Sequence, residues 1–130
     1  MPQDCIQKAI DQVPELTDFG IGIFEHGRGL TPTQRTSKFQ EYQQKLLDSA
    51  EEFEKTCEWL STKERRKTIN KSHTSYGLKH MAERDIGYIT NGVFIAAAIH
   101  CGFKIQFFHG SANVCINISE KALSGYLAAR

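Results

Sequence analysis

Residues 86–103 read I-G-Y-I-T-N-G-V-F-I-A-A-A-I-H-C-G-F, a stretch without Asp, Glu, Lys or Arg in a chain that is 24% charged. Within it, Val93 to Ile99 is apolar on every side. A helix that is apolar all round has to be buried all round. Thr90 or Asn91 can supply the N-cap, and Gly102 stands where a helix commonly ends in a left-handed residue. The stretch therefore predicts a helix over 91–101 at the centre of the core. Its continuous apolar run is under half of the roughly 20 residues needed to cross a bilayer, so no membrane contact is expected.

The rest of the chain reads as cover for that helix. At 130 residues it fits one domain, divided as 1–30 (a helix plus an extended segment), 31–60 (a long amphipathic helix) and 61–130 (a helical core with a hairpin). Ile6, Ala9, Ile10 and Val13 predict a first helix over 3–13, ended by Pro14. Phe19, Ile21 and Ile23 alternate with glycines, as in a short strand or extended segment, and the residues after Phe24 read as loop. Thr31-Pro32 opens a helix whose stripe of Phe39, Tyr42, Leu46, Ala50, Phe53, Cys57 and Leu60 continues to residue 60. At about 1.5 Å per residue such a rod spans roughly 40 Å, longer than a domain of this size; its stripe is expected to serve the core, with a projecting end or a homodimer seam over 33–60 as alternatives.

Ser61-Thr-Lys-Glu64 has the spacing of a capping box and predicts a short helix over 62–69. Another helix follows over 75–83, with Tyr76, Leu78, Met81 and Ala82 inward and Lys79, His80 and Arg84 outward. After Gly102 the period changes to two. Phe103, Ile105 and Phe107, then Val114, Ile116 and Ile118, predict an antiparallel hairpin over 103–118 around the loop His109-Gly-Ser-Ala112, with Cys115 and Asn117 on its outer side. Ser119 caps a last helix that turns Leu123, Tyr126 and Leu127 inward. The expected fold is α+β: a mostly helical single domain with a C-terminal antiparallel β-hairpin. Residues 62–118 have a winged-helix-like element order, a fold used mostly for duplex DNA. Two features argue against a simple transfer of that function. Val93 to Ile99 offers base edges nothing polar, and the hairpin loop has no Lys or Arg.

Charge is divided along the chain. Residues 1–60 hold 6 Lys/Arg against 11 Asp/Glu, a net −5, which leaves 10 against 4, a net +6, for residues 61–130. The cations Lys63, Arg65, Arg66, Lys67, Lys71, Lys79 and Arg84 are a candidate nucleic-acid-binding face, able to neutralise several phosphates. Glu51, Glu52 and Glu58, on an acidic face that runs from 41 to 58, are a candidate surface for a basic protein partner. The four cysteines lack paired spacing and read as reduced thiols. No Cys-x2-Cys or His-x3-His pair suggests a metal, and no cofactor is expected. His73, His80 and Asp85 are the residues a small enzyme would use, but their spacing does not require catalysis, and the chain is expected not to be an enzyme.

The block 68–103, T-I-N-K-S-H-T-S-Y-G-L-K-H-M-A-E-R-D-I-G-Y-I-T-N-G-V-F-I-A-A-A-I-H-C-G-F, resembles small uncharacterised proteins of bacterial mobile genetic elements and genomic islands. That resemblance implies a cytoplasmic bacterial protein serving a mobile element. Such proteins are mostly DNA-binding regulators or small inhibitors of host defence, including anti-CRISPR proteins. The expected function is therefore a non-enzymatic nucleic-acid-binding regulator using the basic face at 63–84. The alternative is an anti-defence, protein-binding inhibitor using the acidic face.

Overall fold

The computed structural model describes residues 2–23 and 30–125. In chain order they form α1 (Pro2–Gln12), a hairpin of β1 (Leu16–Thr17) and β2 (Gly20–Ile21), α2 (Pro32–Leu47) and α3 (Ala50–Ser61). There follow α4 (Ser75–Ile86), α5 (Asn91–His100), the antiparallel pair β3 (Ile105–Phe107) and β4 (Val114–Ile116), and a 3-10 turn at Glu120–Leu123. The fold is α+β, and its C-terminal hairpin pairs Ile105 with Ile116 and Phe107 with Val114.

The central helix is α5. Every residue from Asn91 to Ala98 is buried, and α1, α3 and α4 all pack on it. Thr90 accepts a hydrogen bond from Val93 N at 3.1 Å, which caps the helix, and Gly102 ends it at φ +85°. A β-carbon on Gly92 would land on the Thr17 carbonyl and the Asp18 backbone, so the β1–β2 hairpin lies directly against the first turn. Gly92 N donates to Asp18 O at 3.0 Å across that contact.

The expected rod over 31–60 is two helices. Asp48 and Ser49 interrupt it: Ser49 takes φ −95° and ψ 38°, its hydroxyl bonds back to Lys45 O at 2.8 Å, and Asp48 accepts from the Gln44 amide at 3.0 Å. Asp and Ser side chains offer the backbone local alternatives to the helical ladder, and two in succession suffice to break it here. The bend lets α3 pack on α1 and α5 while α2 lies on β1 and α1. The continuous rod that made residues 33–60 a candidate dimer seam does not form.

The expected helix over 62–69 is also absent. The Ser61 hydroxyl donates to Glu58 O at 2.7 Å and Thr62 to Trp59 O at 2.9 Å, so both close the end of α3 instead of capping a new helix. The chain beyond runs alongside β4: Arg66 N donates to Asn117 O, Asn70 N to Ile116 O and Ser119 N to Glu64 O, at 2.8–2.9 Å. Two buried asparagines fasten it. Asn117 donates from its amide to Arg66 O at 2.6 Å, and Asn70 from its amide to Ile118 O at 3.2 Å. Residues 62–118 thus read helix, helix, strand, strand, without the first helix of the winged-helix order. Because this segment covers β4, Cys115 and Asn117 are buried, not outward as the alternation predicted.

Helix α4 forms as expected, with Leu78, Met81 and Ala82 inward as predicted. Ser75 and Lys79 are buried with them, whereas Tyr76 is 51% exposed. Ser75 belongs inside because its hydroxyl accepts from Val114 N at 3.1 Å. In the N-terminal hairpin Phe19 is exposed, and Leu16, not Phe19, enters the core. Phe24 and the loop after it, with Tyr126 and Leu127, lie outside the described residues.

Candidate functional site

The seven candidate cations do not share one surface. At the C-terminal end of α5, Arg65, Arg66 and Lys67 meet Lys104, just before β3, on an open groove of about 400 Å³, with Gly102 and Asn117 completing the lining. No carboxylate is among its lining residues. The pairing of residues 64–70 with β4 builds this groove. The Lys104 backbone is tied to the same frame, its N–H donating to Asn117 Oδ1 at 2.7 Å.

Each arginine is oriented by backbone carbonyls. Arg65 Nη1 donates to Cys101 O at 3.4 Å and Gly102 O at 3.2 Å, placing a cation at the electronegative end of α5. Arg66 donates from Nε to Thr68 O and from Nη2 to Ile69 O, both at 3.1 Å. A guanidinium carries five N–H donors, so both keep donors beyond these bonds. Lys67 and Lys104 are exposed, and Lys104 Nζ donates to Lys67 O at 3.3 Å.

A neighbouring cavity of about 680 Å³ shares Arg65 and adds Lys63, Cys57 and Cys101. The Lys63 ammonium sits 4.5 Å from the centre of the Trp59 ring. Lys71 is exposed, and its charge partly offsets the burial that pushes the Cys115 thiol up. Arg84 is exposed on α4.

Lys79 is 5% exposed, contrary to its expected outward position. Its ammonium donates to Glu83 Oε2 and Ile89 O, both at 3.1 Å, and stands 5.3 Å and 5.0 Å from the Tyr76 and Tyr88 ring centres. Lys79, Tyr76 and Tyr88 line a cleft at the N-terminal end of α5 with Asp18, Tyr42 and Asn91. Burial pushes the Asp18 carboxyl up. Burial also works against ionisation of Glu83, but the Ile89 N–H, Lys79 and His80 together hold its carboxyl below the ordinary 4.5. A group lowered on folding contributes stability above its unfolded value and loses it as acid titrates the folded form. The network should therefore be intact above about pH 4.5 and weaken below it. Glu83→Gln should cost about 3–5 kcal/mol by leaving Lys79 buried without its counter-charge. Urea denaturation from pH 3 to 7 should show the variant weaker at neutral pH and lacking the acid-side loss assigned to Glu83.

The histidines considered for catalysis are tied to separate partners. His73 pairs with Glu120 at 3.0 Å, His80 with Glu83 at 2.8 Å, and Asp85 accepts from the Trp59 indole at 2.8 Å. Among the described residues, no group of three or more His, Cys, Asp or Glu is placed to hold a metal ion. None of the described helices is long and apolar enough to cross a membrane. The acidic face is divided by the bend: Glu41 lies on α2, Asp48 at its end, and Glu51, Glu52 and Glu58 on α3. Glu51 lies 3.7 Å from Lys55.

Compared with family models, curated proteins and solved structures, the chain gives no match.

Lys104 is the site residue that sequence reasoning missed. It stands alone among apolar neighbours in the hairpin, and only the long-range pairing of residues 64–70 brings it beside Lys67. Asn70 and Asn117, which hold that pairing, also carried no local signal.

Proposed function

We propose that the chain is a non-enzymatic nucleic-acid-binding protein that tracks a phosphate backbone with Arg65, Arg66, Lys67 and Lys104. The observation that carries this reading is the convergence of four cations on one open groove with no carboxylate in its lining. A shallow, open groove suits an extended polyanion better than an enclosed small ligand, and phosphate contacts supply sequence-independent affinity. Lys63 extends the cationic margin through the cavity that shares Arg65. The role as a regulator of a bacterial mobile element rests on the resemblance of residues 68–103.

The test is a titration with labelled duplex and single-stranded DNA at several salt concentrations. Binding should be tight at low salt and little dependent on sequence. Lys67→Gln with Lys104→Gln should lower the slope of log K against log salt by about two, since each duplex phosphate contact contributes about 0.9. Both side chains are exposed and together give up one hydrogen bond, from Lys104 Nζ to Lys67 O, whereas Arg65 and Arg66 each hold two backbone carbonyls. No binding at low salt would overturn the reading.

A further inference from the structure

Cys57 on α3 and Cys101 at the end of α5 are half-buried at the edge of the core, where these two helices pack together. The Cys101 thiol donates to Cys57 O at 3.8 Å, which sets its sulfur against residue 57. Both line the cavity of about 680 Å³, whose wall sets Lys63 and Arg65 against Glu58 and Glu64. The two side chains therefore line one solvent-facing cavity, and the Arg65 guanidinium stands beside Cys101, whose carbonyl it bonds at 3.4 Å. Cys115 is buried in the hairpin.

We propose that Cys57 and Cys101 form a hydroperoxide-reactive dithiol, with Cys101 as the attacking sulfur and Cys57 as the resolving one. The Cys101 thiolate attacks one peroxide oxygen and the O–O bond breaks. The other oxygen leaves as hydroxide and is protonated to water. Cys101 is then a sulfenic acid. The Cys57 sulfur attacks that sulfur next, forming the S–S bond and breaking S–O, and the departing hydroxide takes the Cys57 proton as a second water. Two thiols and one peroxide give one disulfide and two waters, with two electrons passing from sulfur to oxygen.

The assignment of roles follows from the environment. The Cys57 side chain holds the Cys101 thiol below its ordinary range, burial opposes the shift, and the Arg65 guanidinium, bonded to the Cys101 carbonyl at 3.4 Å, assists it. The Cys101 side chain and burial push Cys57 up, as suits a resolving thiol that keeps its proton until the second step. The thiolate is the nucleophile, so the thiol beside the guanidinium is the one that attacks.

The experiment exposes the reduced protein to one equivalent of hydrogen peroxide, alkylates the remaining thiols and locates each cysteine by peptide mass mapping. The expected product is lighter by two hydrogens, with a single Cys57–Cys101 cross-link and with Cys5 and Cys115 alkylated. Cys101 should oxidise at least about tenfold faster than Cys115. In Cys57→Ser, a sulfenic acid trapped by dimedone should accumulate at Cys101. In Cys101→Ser, residue 57 should stay reduced. An unoxidised Cys101 in the wild-type chain, or a cross-link through Cys5, would overturn the proposal without recourse to either variant.

Discussion

Ala97→Asp is expected to leave no cooperatively melting protein. Ala97 is fully buried near the middle of α5, and the core around it is built of apolar side chains such as Phe53, Leu60 and Phe94. A carboxylate there has neither water nor a cation, and an unpaired buried charge costs several kcal/mol even after the group takes up a proton. That loss is comparable to the whole stability of an ordinary domain, about 5–15 kcal/mol. Circular dichroism during heating should show no sharp transition, while Ala97→Gly should still melt cooperatively at a lower temperature. A soluble Ala97→Asp chain with a sharp transition would contradict the buried-helix assignment.

Gly92→Ala is expected to destabilise strongly, although the same exchange inside a helix ordinarily stabilises by roughly 0.5–1 kcal/mol. The added methyl would collide with the Thr17 carbonyl and the Asp18 backbone. Neither side can yield cheaply. Gly92 N bonds Asp18 O at 3.0 Å, and the Asn91 amide bonds Phe19 O and Ala112 O, both at 3.2 Å, joining α5 to the N-terminal hairpin and the hairpin loop. Overpacking of this kind typically costs about 1–3 kcal/mol, and more when backbone is the obstacle. Gly77→Ala is the control, because a β-carbon there meets only the Thr74 hydroxyl at 4.0 Å. Urea denaturation should move the two midpoints in opposite directions, Gly77→Ala upward and Gly92→Ala downward. Equal shifts would show that the contact between Gly92 and Thr17 is not tight.

These contrasts show which parts of the fold were legible in the sequence. Helix α5 was readable because unbroken apolarity and both caps agree locally, and the hairpin because its period changes to two. The boundary at Asp48–Ser49 was harder, since the apolar stripe continues in register across the bend and only two polar residues record it. Ser61 was misleading for a physical reason: a hydroxyl can cap the helix that follows or bond back to the one before, and its spacing to Glu64 fits the first choice while the structure makes the second. In α4 the inward Leu78, Met81 and Ala82 were readable, but the burial of Ser75 depends on Val114 N, thirty-nine residues away. For the candidate site, Arg65, Arg66 and Lys67 were adjacent in sequence and remain together. Lys71, Lys79 and Arg84 were grouped with them by sequence proximity alone. The structure buries Lys79 and leaves Lys71 and Arg84 off the groove lining.

The pairing of residues 64–70 with β4 also fixes when the groove comes into existence. The bond from the Asn117 amide to Arg66 O closes a loop of 51 residues, and the bond from Asn70 to Ile118 O one of 48. Closing loops of that length carries an entropic cost that is recovered only once α4, α5 and the hairpin are in place. A chain synthesised as far as Lys104 already holds all four cations of the groove but none of the strand that aligns them. Arg65, Arg66 and Lys67 then lie on an unanchored segment, and Lys104 has no Asn117 to hold its backbone. Their convergence depends on contacts that span much of the chain, so the proposed phosphate affinity belongs to the finished topology and not to basic composition.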